Sequence, residues 1–249
     1  MRPIALTWTA LALALTCVVS SAADAADPKP ADGWIVLLDR AGPHGWKSVP
    51  KGWEVVGAPH LSAGNLKRLG AGKGKGVLYN GSMGRAGNLV TADKFGDVEA
   101  HVEFLVPKGS NSGVKFEGVY EIQIFDSYGV KAPTASHSGG VYPRAELLPK
   151  YHHIDQGYPP LVNGAKPAGE WQTLDVVFHA PRFDSEGKKT ADARFVKVVL
   201  NGQVVQSNLA VPSPTGHAWH NKEAPLGPLL LQGDHGPIAF RNVKIRPIH

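Results

Sequence analysis

Apolar and polar side chains alternate along this chain in short runs. In Val98-Glu99-Ala100-His101-Val102-Glu103-Phe104 the apolar side chains share one face and Glu99, His101 and Glu103 the other, which is the two-residue period of a half-buried strand. Tyr120-Glu121-Ile122-Gln123-Ile124 repeats the pattern, with Glu121 and Gln123 opposite an apolar face expected to meet the core. Further apolar or alternating runs occupy 34–38, 53–56, 76–79, 88–91, 113–116, 171–179, 194–200, 203–206, 228–231 and 238–245, and the two described above extend over 98–106 and 119–125. Gly, Pro, Asn and Asp clusters separate them. Strands at such spacing predict an all-β sandwich or barrel. Asn201-Gly202, between two of the runs, has the composition of a type I′ hairpin turn.

No stretch sustains apolar spacing of three and four residues. Segment 144–150 comes nearest, but Pro143 and Pro149 hold it to one or two helical turns at most. The 29 Gly and 20 Pro of the 249 residues exclude long helices and coiled coils. Hydrophobic residues at 43% and charged residues at 19% exclude a disordered chain and suffice for one sizeable core. The longest interruption of the strand pattern, 127–170, is rich in Gly, Pro, His and Tyr. An insertion of that length in a compact β domain is usually functional or mobile, and its aromatic and imidazole content favours function. No internal repeat appears, which argues against a solenoid or propeller.

The first 25 residues have the parts of a secretory signal peptide: Arg2, an apolar run from Ile4 to Val19, and small residues at Ala23-Asp24-Ala25. The run is shorter than the ~20 residues a membrane-spanning helix needs. The expected products are a signal segment 1–25, a lead-in 26–32 and one folded domain 33–249, secreted or periplasmic and without a transmembrane segment. Cleavage removes Arg2 and Asp24, so the net charge stays +5, and it removes Cys17, the sole cysteine. Lipid attachment at Cys17 is the weaker reading, because Thr16 precedes it and the apolar run continues beyond. The excess of 26 Lys and Arg over 21 Asp and Glu is spread along the chain, so nucleic-acid binding is not implied. No Gly-rich loop opens a helix and no Gly-x-Ser-x-Gly occurs, which leaves nucleotide binding and serine hydrolysis without their physical basis.

The chemistry concentrates in 111–127. Glu121 and Gln123 share the polar face of their strand, and a one-residue bulge near Phe125 would bring Asp126 onto it. Paired carboxyl groups on one open surface are what glycoside chemistry requires, with oxygens about 5–5.5 Å apart for retention and roughly 6.5–9.5 Å for inversion. Alternation also creates such pairs on ordinary solvent faces, so both readings stand at this stage.

Several ordered motifs resemble the bacterial 3-keto-disaccharide hydrolase family: Asn111-Ser112-Gly113-Val114, the run from Tyr120 to Ser127, Gly139-Gly140-Val141-Tyr142, Gly169-Glu170-Trp171-Gln172-Thr173-Leu174-Asp175, Ala180-Pro181-Arg182-Phe183, and Leu231-Gln232-Gly233-Asp234-His235-Gly236-Pro237 with the strand that follows. The resemblance spans about 33–247. It implies a concanavalin A-like jelly-roll sandwich of two antiparallel sheets with one long loop insertion, secretion, and action on oxidised glycosides. The fold is shared with laminarinase-type glucanases, whose catalytic Glu-x-Asp-x-x-Glu this chain meets at Glu121 but not at Gln123, and with many lectins.

A ketone at C3 of a sugar acidifies the C2 proton, so elimination and hydration can replace direct displacement at C1. That needs a base, an acid for the departing oxygen and a donor for the enolate. The expected catalytic residues are Glu121 as base and Asp126 or His235 as acid. Expected substrate-binding residues are Gln123, Tyr142, Asp234 on the turn beside His235, Arg241 for the enolate, and Trp219 for stacking on a sugar face; Tyr151 and Tyr158 are further stacking candidates. Each has a plainer reading as a turn, surface or loop-packing residue. Trp34, Trp46, Trp53 and Trp171 are expected to fill the core. His152-His153 and His217-Ala218-Trp219-His220 suggest a metal such as zinc but show no ligand set. No cofactor is required, and a calcium ion stays open. The partner is a small sugar, the oligomeric state is undetermined, and the rival reading is a non-catalytic carbohydrate-binding module.

Overall fold

The computed structural model describes residues 33–248; the signal and lead-in segments lie outside the described residues. Two antiparallel sheets face each other. The larger runs Gln203–Val211, Ala193–Leu200, Gln172–His179, Val98–Leu105, Ala239–Pro247, Val77–Tyr79 and Glu54–Val56 in spatial order, with Ile35–Leu38 also paired to Ala239–Pro247. The smaller runs Leu89–Val90, Leu230–Leu231, Asn111–Phe116 and Tyr120–Phe125. These strands coincide with the runs read from the hydrophobic pattern, and their crossed order is that of a jelly-roll sandwich.

The alternation explains how the sheets stack. Val98, Ala100, Val102 and Phe104 are buried while Glu99, His101 and Glu103 are only partly covered. Phe116 and Tyr120 of the smaller sheet meet Phe178 and Phe195 of the larger, with Phe116 and Phe178 ring centroids 5.1 Å apart. Truncating such a fully buried aromatic costs about 3–5 kcal/mol. At the Asn201-Gly202 turn both residues have positive φ, 52° and 82°, as a type I′ turn requires.

Three hairpins escaped the pattern: Pro59–Ser62 with Asn65–Ala71, Ala145–Glu146 with His152–His153, and Arg182–Phe183 with Lys189–Ala191. Their side chains are largely exposed or half-buried, so no buried face imposes a period. Segment 144–150 forms no helical turn. Its first N–H groups are taken by distant partners, Arg144 N–H donating to Oδ1 of Asp155 and Ala145 N–H to the Gly216 carbonyl, each at 3.1 Å. Among the described residues the one helical element is the 3-10 turn His217–His220. Trp53 is buried in the core and Trp46 packs against it, but Trp34 lies on the outer face beneath Lys244, 4.5 Å from its ring centroid. Trp171 packs on a smaller apolar cluster and carries Arg241 over its ring at 4.0 Å.

The long insertion extends the smaller sheet. Gly139 N–H donates to the Gln123 carbonyl at 2.9 Å, Gln123 N–H to Gly140 at 2.8 Å, and Tyr142 N–H to Glu121 at 3.1 Å. Val141 bridges to both Ile122 and Tyr158. A Cβ on Gly140 would meet the Ala135 carbonyl oxygen at 2.5 Å, so the close approach depends on glycine there.

Candidate active site

Pairing between Asn111–Phe116 and Tyr120–Phe125 is in step throughout, with Lys115 opposite Glu121 and Gly113 opposite Gln123. Residues directly opposite share a face, so this face gathers Asn111, Lys115, Glu121 and Gln123. Gly113 makes room among them. A Cβ at Gly113 would lie 2.2 Å from Oε1 of Glu121, which means the Glu121 carboxylate lies over the glycine backbone. Its Oε2 is 3.0 Å from Nζ of Lys115. Gln123 Nε2 donates to Oδ1 of Asn111 at 2.9 Å.

Both residues are buried, Glu121 to 3% exposure and Gln123 to 2%. This is not an ordinary solvent face. The strip around Tyr142, the Thr215-Gly216-His217 turn and the 232–235 turn surround it, enclosing a cavity of about 460 Å³, within the range of small-ligand sites. Thr215 helps to anchor the cover, its Oγ1 accepting from Glu121 N–H at 3.0 Å. On one wall the Tyr142 and Tyr151 hydroxyls are 2.7 Å apart, with Nε2 of His153 at 3.1 and 3.0 Å from them. Burial pushes the Tyr142 phenol well above its usual range, and the Tyr151 bond and the Glu121 charge add to this, so it is a protonated hydroxyl at neutral pH.

The opposite wall is the 232–235 turn. Buried Asn80 fastens it by donating to the Gly233 and Gly236 carbonyls at 2.9 and 2.8 Å and accepting from Ile238 N–H at 2.7 Å. His235 lines the cavity with Nδ1 2.6 Å from Oδ1 of Asp234. Gln232 is buried there and its Oε1 has no hydrogen-bond partner among the described residues. An acceptor so placed is costly unless a ligand donor satisfies it. A second cavity, about 380 Å³, lies beyond Tyr142, but its principal charged groups, Arg144 and Asp155, already bond each other at 2.6 Å.

Of the residues expected from sequence, Glu121, Gln123, Tyr142 and His235 line one cavity, with Tyr151 beside them and Asp234 behind His235. Four do not join them. The bulge near Phe125 is absent, so Asp126 keeps the strand's parity and points away from Glu121, accepting from Gly109 N–H at 3.0 Å. Arg241 stands on the outer face of the larger sheet, its Nε 2.6 Å from Glu103, because its register partner there is Glu103. Trp219 stacks on His220 at 4.0 Å beneath Arg144, and its neighbour His217 reaches the cavity instead. Tyr158 lines the second cavity. Sequence reasoning passed over Asn111, Lys115 and Gln232, and had His217 only within a suggested metal motif, not as a cavity residue. The parity of 111–115 against 121–123 held the signal for the first two; nothing local places the other two at the cavity.

The family model for 3-keto-alpha-glucoside-1,2-lyase-like domains matches residues 33–246. A 3-keto-disaccharide hydrolase of Bacteroides thetaiotaomicron is 26% identical over 172 residues, covering 61% of this chain and 54% of that one. The chain thus spans about half the length of that curated relative. A crystal structure of a candidate glycosyl hydrolase from Parabacteroides distasonis superposes with a TM-score of 0.58 at 25% identity, covering 87% of this chain and 84% of that one. A second from the same organism gives 0.54 at 20% identity over 86% and 99%.

Proposed function

This chain belongs to the 3-keto-alpha-glucoside-1,2-lyase-like family, and from that premise we propose that it cleaves the glycosidic bond of 3-keto-glycosides by base-assisted elimination followed by hydration. The observation that carries the reading is the buried Glu121 carboxylate held against Lys115 on the floor of a sugar-sized cavity. The name of the Bacteroides relative points to the same substrate class.

Glu121 takes the C2 proton, and the electron pair moves onto the C3 ketone oxygen as an enolate. Lys115, a cation beside the base, takes the stabilising role that sequence reasoning gave to Arg241. The enolate then collapses and expels the C1 substituent, leaving a C1–C2 double bond. Either the Tyr142 hydroxyl, within its bonded group with Tyr151 and His153, or His235, oriented by Asp234, protonates the departing oxygen. Water adds at C1 and a proton returns to C2, giving the free 3-keto sugar. Gln123 and Gln232 supply amide groups for the ring hydroxyls. Secretion follows from residues 1–25 as part of the same reading.

The test is release of 3-ketoglucose from an oxidised disaccharide. Wild type releases it, and Glu121→Gln is expected to lose about 10²–10⁴-fold in turnover, the contribution of a positioned base, while its circular dichroism is unchanged. Equal release by both would remove Glu121 from the mechanism. Calorimetric binding of unmodified glycans without turnover of any keto sugar would favour the carbohydrate-binding module.

A further inference from the structure

The 3-10 turn His217–His220 and the strand residue Glu146 bring three donors together. One ligand atom from each of Glu146, His217 and His220 lies within 4.8 Å of the others, and Nε2 of His220 is already 3.0 Å from Oε1 of Glu146. The arrangement follows from the fold. A 3-10 helix has three residues per turn, so side chains three apart eclipse, and the His217 and His220 rings stand 5.1 Å apart on one side. Gly216, at φ 57°, starts the turn. Its carbonyl accepts from Ala145 N–H, and its own N–H bonds Pro143 at 2.9 Å, which tie the strand bearing Glu146 alongside. Neither the His-x-x-His spacing nor the Glu is a ligand set alone; the 70-residue gap between them closes only in the folded chain.

We propose that Glu146, His217 and His220 bind a divalent transition metal of the zinc class at the lip of the Glu121 cavity. Two imidazoles and one carboxylate are a donor set of open zinc sites, whereas calcium and magnesium call for an all-oxygen shell. Tetrahedral bonds of about 2.0–2.2 Å place donors roughly 3.3–3.6 Å apart, so the present group closes by small side-chain rotations. The Trp219 indole packed on the His220 ring fixes that ring's orientation, and outer partners of this kind set ligand geometry. Because His217 also lines the cavity, the positions left open by three protein ligands adjoin the space where a sugar oxygen or water would sit.

Metal-stripped full-length mature protein, titrated calorimetrically with Zn²⁺, Co²⁺ and Ca²⁺, tests this. One equivalent of Zn²⁺ and of Co²⁺ is expected to bind with Kd below about 10 μM, Co²⁺ giving the visible absorption of a tetrahedral site, and Ca²⁺ is expected not to compete. His220→Asn and, independently, Glu146→Gln should each weaken Zn²⁺ at least tenfold without changing the apo melting temperature, and His152→Asn should not. Glu121→Gln should bind Zn²⁺ as wild type does, so this result stands or falls separately from keto-sugar turnover. No stoichiometric Zn²⁺ binding to the folded wild type, binding unaffected by both variants, or preferential Ca²⁺ binding would each overturn the site; the wild-type titration decides even if a variant fails to fold.

Discussion

Two strands with the same alternation, Val98–Leu105 and Tyr120–Phe125, turn their polar faces to different fates. On the larger sheet the face stays at the surface and its charges neutralise one another. Arg241 pairs with Glu103, Arg246 with Glu99, and His101 with Asp175 at 2.6 Å. Burial acts to raise the Glu103 carboxyl, yet bonds from Asn242 and Arg241 outweigh it and hold it below its usual range. The hydrogen bond to Asp175 pushes His101 up. On the smaller sheet the polar face is roofed by the insertion and the turns around Thr215 and His235, which leaves Glu121 and Gln123 buried but facing a cavity. Alternation places polar groups on a face; only the cover over that face makes them a site.

The comparison breaks most sharply at Gly113. In Gly113→Ala the new methyl would collide with the Glu121 carboxylate, so keto-disaccharide turnover should fall about 10- to 100-fold, roughly 1.4–2.7 kcal/mol of barrier. Steady-state kinetics checks this, with Glu103→Gln on the other sheet as the variant expected to stay within about twofold.

A carboxylate at the end of the same hairpin sharpens the contrast. Glu117 sits at φ 52° in the turn before Tyr120–Phe125, and neither carboxylate oxygen has a hydrogen-bond partner among the described residues. Burial, with the charges of Glu223 and Asp97 adding, pushes it up to about 8. A folded-state value above the unfolded one means the native state holds the proton longer. Its contribution to stability is therefore complete below the unfolded value and is lost progressively as pH rises from about 4.5 to about 8. Glu117→Gln should flatten this fall, raising the melting temperature at pH 8 by about 2–4 °C per kcal/mol recovered and changing little at pH 4. Melting curves across that range decide it. An equal shift at both pH values would show that the charge is not the cause.

The smallest effect belongs to the open face. Arg241→Ala removes a partly exposed ion pair and a stacking contact on Trp171, together worth about 1 kcal/mol or less in solvent. Urea denaturation should register that loss, and turnover should be unchanged. A large drop in turnover would restore Arg241 to the site.

Much of the sandwich was legible because burial on one side enforces a two-residue period, and the twelve strands of the two sheets are the twelve runs that show it. The exposed hairpins were not, since nothing buried enforces a period on Pro59–Ser62 or His152–His153. At the site, parity alone put Glu121 and Gln123 together. The same rule, applied without an invented bulge, would have excluded Asp126 and added Lys115 and Asn111. His235 was legible as a turn residue, but its place opposite Tyr142 rests on Asn80, more than 150 residues away in sequence.

What the sequence determined unaided is which side chains share a face, because the backbone of a strand assigns faces locally and burial selects one of them. The tertiary structure decided which polar face is covered, that Arg241 spends its charge on Glu103, and that Glu146 meets His217 and His220. Those outcomes depend on segments far apart in the chain being packed against one another, and local alternation carries no record of which distant segment will arrive.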